Sequence, residues 1–126
     1  MISQNSQQKI DLLGSKDGNP DLLSNVVSSI ESGEAIVFEH EAIGCVIAKP
    51  VFRDSKIGML IWVGVSNCGN GISKCSPFFH NMAKNIGMNF IEFRTKRTGF
   101  KRLAKKLNFE ESDPVDGFLV FIKEVI

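Results

Sequence analysis

The sequence predicts one domain of mixed α/β class, and three observations support this prediction. The 126 residues fit a single domain, since domains commonly hold about 100–150 residues. Three consecutive strand-like runs lie in the first half of the chain. A helix, a strand, a second helix and a last strand then alternate to the end. This order is typical of an α/β or α+β fold, with a mixed, mostly antiparallel central sheet that is flanked by helices.

The first half of the chain begins with polar residues. Residues 1–8 are expected to form a flexible N-terminal tail, and residues 9–13 a short strand. Apolar residues then recur at helical spacing from Asp21 onward, which predicts a helix that ends at Gly33. Three strand-like runs follow, of which the first two form a hairpin and the third is apolar on both faces, as in a central strand: 35–39, 43–52 and 56–65.

The second half begins with a polar loop that contains glycines, residues 66–75. Ser76 and Pro77 predict the start of the next helix, because serine caps helices and proline suits the first helical position. A strand, a short basic helix and a final strand complete the single domain predicted over residues 1–126: 89–94, 99–107 and 117–125.

Charge and cysteine content exclude several classes of protein. The formal net charge is +1, so the overall charge favours neither nucleic acid nor an acidic membrane surface as a partner. The three cysteines are an odd number without a C-x-x-C pair, which indicates neither a disulfide framework nor a zinc site. Cys45 lies in an apolar run and is interpreted as a small buried hydrophobe.

The sequence predicts no bound metal and no membrane segment. His40 and His80 lie far apart along the chain, and no third ligand accompanies either of them. The N-terminus has no apolar signal core, and no run reaches the roughly 18 apolar residues that span a bilayer. The protein is therefore expected not to be secreted.

The most specific motif lies in residues 91–109. It consists of a strand, an arginine, a Gly-aromatic pair, a basic residue and a lysine-rich turn, with these key residues: Arg97, Gly99, Phe100, Arg102, Asn108 and Phe109. This pattern resembles short tailed-phage proteins of the GNAT acyltransferase superfamily, in which the turn ends in Gly-Phe. Here Asn108 stands in place of the glycine. Among residues other than glycine, asparagine most often adopts the left-handed conformation that such a cap needs. The resemblance covers residues 21–126 in element order and residues 56–109 in motif.

The resemblance implies a site for acetyl-CoA. The family binds the cofactor's pyrophosphate with an Arg/Gln-x-x-Gly-x-Gly/Ala loop that runs into a helix. In the nearest match here, Gly71 and Ser73 occupy the small positions, while Cys68 replaces the leading Arg or Gln. A helix beginning at Ser76 would leave Gly71 in a loop that need not bind any ligand. The candidate cofactor-binding residues are Gly69, Asn70, Gly71, Ile72, Ser73 and Lys74.

The resemblance leaves open whether the protein is an enzyme. Family members that transfer acetyl groups often use a tyrosine as the general acid, and Ala104 occupies its position in a chain that has no tyrosine. An active form would be an N-acetyltransferase with substitute groups. Glu39 and His80 are the catalytic candidates, as base and acid respectively. Other acids and bases suggested by the element order are Ser66, Cys68, Ser73, His40 and Glu41.

Two functions follow from the resemblance. The missing tyrosine, the late helix start and the missing Arg or Gln favour a non-catalytic phage-type protein. Such a protein would contact a phage structural protein or a host protein, in virion structure, in assembly or on a host factor. It would be found in the bacterial host's cytoplasm or in the virion. The alternative is an acetyl-CoA-dependent N-acyltransferase that uses residues 69–73 for the pyrophosphate.

The basic stretch 94–106 has three interpretations. Its seven lysines and arginines are interpreted first as a solvated helix face, and second as a contact to the 3′-phosphate of CoA. The third interpretation is nucleic-acid binding, which the lack of exposed aromatic side chains for base stacking disfavours.

Overall fold

The computed structural model describes residues 2–41, 44–66 and 71–125, with the side chains of all these residues except 71–75. The described residues form four helices and six strands. In chain order these are α1 (Gln4–Lys16), α2 (Leu22–Glu31), β1 (Ile36–His40), β2 (Gly44–Arg53), β3 (Lys56–Ser66), α3 (Gly71–Asn85), β4 (Phe90–Thr95), α4 (Phe100–Lys106), β5 (Glu110–Val115) and β6 (Phe118–Glu124).

The strands form one sheet in the order β1-β2-β3-β4-β6-β5. The pairs β1–β2, β4–β6 and β5–β6 are antiparallel. Strands β3 and β4 pair in parallel, residues 58–61 with residues 90–93, and β3 then continues to Ser66. The predicted class, a mixed and mostly antiparallel sheet with flanking helices, is confirmed.

The chain divides into two compact units. The N-terminal unit comprises Met1–Lys49 and Trp62–Gly71, and the C-terminal unit comprises Pro50–Ile61 and Ile72–Ile126. Each unit has its own set of buried apolar residues. The expectation of a single domain over residues 1–126 therefore stays a prediction.

Helix α1 corrects the prediction of a tail followed by a strand at 9–13. The helix begins at Gln4, and the side chain of Ser3 caps it by accepting a hydrogen bond from the backbone N–H of Ser6. The buried residues of α1 recur every fourth position, at Ser6, Ile10 and Gly14. Two of these three residues are not apolar, so the helical period was not visible in the hydrophobic pattern.

The core of the N-terminal unit combines side chains from α1, α2 and the strands. Its buried members are Ile2, Ile10, Leu22, Val26, Ala35, Cys45, Ile47 and Val63. Burial of Cys45 confirms that it is a small core hydrophobe. Trp62 is partly buried against this cluster, and the Lys49 ammonium lies 3.8 Å from its ring centroid.

An aromatic cluster in the C-terminal unit surrounds Phe93 in β4, which is itself half-buried. Its ring stacks on Phe121 of β6, with centroids 5.0 Å apart. It also meets Phe109 and Phe100 edge to face, with centroids 5.0 and 6.2 Å away. Both arrangements are favourable for aromatic pairs, and they fix α4 and the segment after it against β4 and β6.

Asn108 ends α4 as the sequence predicts. It has a left-handed backbone with φ 67°. The N–H of Phe109 donates to the carbonyl of Ala104 (2.8 Å), and the N–H of Asn108 donates to the carbonyl of Lys105 (3.1 Å). These two bonds are those of a Schellman cap.

Strand β5 was not predicted. Its sequence, Glu-Glu-Ser-Asp-Pro-Val, has no apolar alternation, yet it pairs with β6 along most of its length. Asp116 and Gly117 connect the two strands and have φ values of 52° and 82°. Two positive φ angles are typical of a tight hairpin turn, and Asp-Gly is a dipeptide that favours them. The Asp-Gly dipeptide was therefore the feature of the sequence that indicated a hairpin here.

Helix α3 begins at Gly71, so the prediction of a start at Ser76 is wrong. Pro77 lies inside the helix. A proline there removes one hydrogen bond, from its own nitrogen to the carbonyl four residues earlier. Phe79 and Ala83, one turn apart, are both buried, and they anchor the part of the helix that follows the proline.

Candidate functional site

The N-terminus of α3 contains the part of the predicted cofactor site that the structure describes. Gly69 and Asn70 lie outside the described residues. The backbone of the other four candidates is helical and forms the first turn of α3, and their side chains also lie outside the description: Gly71, Ile72, Ser73 and Lys74. Gly71 is thus the first residue of the helix and not a residue of a preceding loop.

A helix start in this position favours an anion. The first N–H groups of a helix have no partner within it, and the helix dipole places partial positive charge there. Backbone amides at a helix N-terminus commonly bind phosphate for this reason. The first turn of α3 contains no acidic residue, so no fixed negative charge in that turn opposes an anion.

Glu39, the predicted base, holds the start of α1. Its carboxylate accepts hydrogen bonds from the backbone N–H of Ser3 (2.9 Å), from the Ser3 hydroxyl (2.5 Å) and from the Ser6 hydroxyl. These hydroxyl hydrogen bonds lower the pKa of Glu39, against a smaller opposing effect of burial. A carboxylate with a lowered pKa is a weaker base, and its catalytic role stays a prediction.

His80, the predicted acid, is half-buried on α3 in the C-terminal unit. Its Nδ1 atom is buried and has no hydrogen-bond partner among the described residues. Catalytic histidines are commonly oriented by a hydrogen bond to the second ring nitrogen. The structure shows no such orienting contact at Nδ1, and the catalytic role of His80 also stays a prediction.

Ala104, which the sequence resemblance places at the position of a catalytic tyrosine, is 1% exposed. Its carbonyl belongs to the cap of α4 and its side chain has no group that can donate a proton. Three other candidates lie in the N-terminal unit and are exposed: His40, Glu41 and Ser66. The Ser66 carbonyl accepts a hydrogen bond from the Lys9 ammonium (3.1 Å). Cys68 lies outside the described residues.

Glu92 is the principal polar residue that the sequence reasoning missed. It lies on β4 with its side chain fully buried, and it accepts hydrogen bonds from Arg53 Nε (2.5 Å) and Arg94 Nε (2.7 Å). Burial alone would raise the pKa of Glu92, but the hydrogen bonds and positive charges of Arg53 and Arg94 hold it below its ordinary value. The available signal was a glutamate among apolar strand residues, with an arginine two positions later on the same face.

The basic stretch is mostly a solvated surface. Six of its seven basic side chains are exposed and only Arg94 is half-buried, because it binds Glu92. Lys101 Nζ lies 3.8 Å from Glu111 Oε2, and Lys96 Nζ lies 4.8 Å from the ring centroid of Phe118. Phe100, the aromatic residue within this stretch, is half-buried against Phe93.

Burial raises the pKa of the Cys45 thiol to about 11, with a further contribution from the negative charge of Glu39. A thiolate nucleophile is therefore disfavoured at this position.

Across residues 2–41, 44–66 and 71–125, no three His, Cys, Asp or Glu side chains group closely enough to bind a metal ion. No helix within the same ranges has the length and apolar character needed to cross a membrane.

The architecture is that of the GNAT fold, as comparison with solved structures shows. A GNAT-family acetyltransferase from Listeria monocytogenes superposes with a TM-score of 0.68 at 17% identity, covering 95% of this chain and 86% of the other. An aminoglycoside 6′-acetyltransferase of type Ii gives a TM-score of 0.67 at 14% identity, with coverages of 97% and 89%. Ard1 from Thermoplasma volcanium gives 0.63 at 12% identity, with coverages of 99% and 95%.

At these identities the likeness establishes the fold alone. No protein-family model matches the sequence, and no curated protein matches it either.

Proposed function

We propose that this chain binds acyl-CoA at the N-terminus of α3 and acts as an acetyl-CoA-dependent N-acyltransferase. The supporting observation is that α3, as described, begins at Gly71, one of the glycines in the polar segment that follows β3 in the sequence. The late helix start was one of three features that favoured a non-catalytic protein, and that feature is now removed. The similarity to solved acetyltransferases of the same fold agrees with the proposal.

The residues present fit a pyrophosphate in this position. The backbone N–H groups of the first turn of α3 would bind it, and Lys74 in that turn adds a positive charge to the segment. Bound acyl-CoA would supply an acyl group activated as a thioester. The chain's part is to hold the cofactor and to orient an incoming amine.

The missing tyrosine lowers the expected rate without excluding transfer. A thiol has a pKa near 8.5, so a thiolate leaves without obligatory protonation. General acid catalysis typically contributes about 10²–10⁴-fold. The buried Ala104 therefore predicts a slow acyltransferase, in which solvent or a substitute group such as His80 protonates the leaving thiolate.

A second candidate function is the phage-type, non-catalytic protein that acts by contact with a virion protein or a host protein. It is supported by large apolar side chains that remain exposed in the C-terminal unit. Phe52 is 73% exposed, Ile86 59% and Phe78 55%. Exposed apolar groups are common at protein interfaces, although single ones are ordinary on any surface.

A pair of substitutions at one position tests the acyl-CoA site. Gly71→Asp places a negative charge at the start of α3, whereas Gly71→Asn has nearly the same shape and is neutral. Both residues are favourable at helix starts, so both variants are expected to fold. Acetyl-CoA at about 100 times its dissociation constant should stabilise the wild type by about 2.7 kcal/mol. Gly71→Asn should keep most of this thermal shift and Gly71→Asp should lose it.

No shift in the wild type, or equal shifts in both variants, would overturn the acyl-CoA site. Transfer is tested separately, by measuring the release of free CoA with a panel of primary amines. Release that depends on the amine supports the enzyme. Binding without any amine-dependent release would favour the second candidate, a fold retained for protein contact.

A further inference from the structure

Arg53, Glu92 and Arg94 form an ionic cluster within the C-terminal unit. Arg53 is the last residue of β2, and Glu92 and Arg94 lie two positions apart on β4. In the sheet order, β3 lies between β2 and β4, and Leu60 of β3 is paired with Glu92. Arg53 therefore reaches across a whole strand to meet the buried carboxylate.

The cluster uses only part of the hydrogen-bonding capacity of its arginines. Each guanidinium donates to Glu92 through Nε alone, Arg53 to one carboxylate oxygen and Arg94 to the other. An arginine paired with one carboxylate for stability alone often donates two parallel hydrogen bonds to it. Here the Nη groups of both arginines have no hydrogen-bond partner among the described residues, and the two side chains are 31% and 32% exposed.

The charges of the cluster do not cancel. One carboxylate faces two guanidinium groups, which leaves one positive charge at a site where the carboxylate is fully buried. The charge of a further acid, Asp54, also raises the pKa of Arg53, after the larger effect of Glu92. Asp54 forms no salt bridge with Arg53, so it does not occupy the Nη groups.

We infer that Arg53 and Arg94 form a binding site for one small oxyanion, a carboxylate or a phosphate group, with Glu92 as the positioning residue. Glu92 fixes both arginine side chains by accepting a hydrogen bond from the Nε atom of each. Its carboxylate accepts no hydrogen bond from their Nη groups. Paired Nη donors of two arginines match the oxygens of carboxylate and phosphate groups. The site uses no residue of the first turn of α3 and does not depend on the proposed acyl-CoA binding.

The arginine signals of the unmodified protein provide the first test. The Nε–H protons of Arg53 and Arg94 are held by a buried acceptor, so their ¹H–¹⁵N resonances should be observable and assignable. Inorganic phosphate and sodium acetate are titrated separately at low and constant ionic strength. We expect the chemical shifts of both resonances to change in a saturable way on addition of at least one of the two anions. The anion with the lower dissociation constant then identifies the preferred ligand as a phosphate or a carboxylate. No saturable shift in either anion would overturn the site.

Conservative variants provide the second test. Arg53→Lys and Arg94→Lys keep the positive charge and can still pair with Glu92, but they remove the Nη donors. Each should weaken anion binding about tenfold, as expected for the loss of charge-assisted hydrogen bonds. Arg102→Lys is the matched control, because Arg102 is exposed and has no ion pair among the described residues. An equal loss in Arg102→Lys, or no loss in the two test variants, would show that the anions bind only through general surface charge and would overturn the proposal.

Discussion

Glu39 in the N-terminal unit and Glu92 in the C-terminal unit are both strand glutamates with lowered pKa values. Glu39 is exposed and receives its hydrogen bonds from two serines and a backbone N–H at the start of α1. Glu92 is fully buried and receives its hydrogen bonds from two arginines. The same residue type thus serves a cap at the surface in one unit and an ionic cluster in the interior of the other.

This difference determines what each glutamate contributes to stability. Hydrogen bonds from neutral donors near water contribute modestly, because water replaces them when they break. A buried carboxylate between two guanidinium groups is different, since removing the charge of Glu92 leaves two arginines, which are only 31% and 32% exposed, without a negative partner. The two units should therefore respond unequally to the same substitution.

The largest effect is expected for Glu92→Gln. The amide keeps the shape of the side chain but leaves two arginines without a negative partner. Breaking a buried ionic cluster costs about 3–5 kcal/mol, which urea unfolding of the variant and the wild type would measure. If the free energy of unfolding falls by less than about 1 kcal/mol, the two arginines can be solvated in the variant with little loss of stability. Glu92 and Glu39 would then contribute similarly, which would contradict the comparison.

A smaller but still large effect is expected for Gly44→Ala in the N-terminal unit. Gly44 has φ 139°, and an added Cβ would lie 2.1 Å from the carbonyl oxygen of Val65. Because that oxygen belongs to the backbone, it cannot move aside easily, and a loss of about 2–4 kcal/mol is expected. Gly64→Ala on β3 is the control, since beyond its two chain neighbours no atom of the described residues lies within 4 Å of its added Cβ. Equal losses for both would mean that Gly44 is not held by this contact.

The next effect is expected for Glu39→Gln, at about 1 kcal/mol or less near neutral pH, because the site is exposed. The pKa of Glu39 is lower in the folded state than its ordinary value of 4.5. Its contribution to the free energy of unfolding is therefore present above about pH 4.5 and is lost as the pH falls through the folded pKa. Unfolding measured between neutral and acidic pH should show a shallower decline for Glu39→Gln than for the wild type. An identical decline would contradict the role of Glu39 at α1.

The smallest effect is expected for Glu111→Gln. Its carboxylate lies 3.8 Å from Lys101, and both side chains are exposed. Surface pairs of this kind contribute about 0–1 kcal/mol. The same urea unfolding therefore gives a baseline for removing a glutamate from the C-terminal unit. A loss as large as that of Glu92→Gln would show that burial does not separate the two sites.

Most of the fold could be predicted where apolar residues follow a clear period. The hairpin of β1 and β2, the central strand β3, the strand β4 and the cap at Asn108 all follow from such patterns and from local backbone preferences. The elements that failed are polar. Helix α1 buries a serine and a glycine on its inner face, and β5 is an acidic strand whose signal was the Asp116-Gly117 turn.

The candidate site was predicted less completely than the fold. Pro77 was interpreted as a helix start by local preference, but the helix is already formed at Gly71 and contains the proline. Glu92 was not singled out, since only the structure shows that Arg53 crosses β3 to reach it. Long-range pairing of this kind depends on strand order, which a local pattern does not contain.

The most direct test of the acyl-CoA site is calorimetric titration of the wild-type protein with acetyl-CoA. The account predicts saturable binding of one equivalent, and this binding should disappear in Gly71→Asp and persist in Gly71→Asn. Absence of binding heat over a range of temperatures, together with an unchanged melting temperature, would contradict it. The fold would then be one that has lost its cofactor.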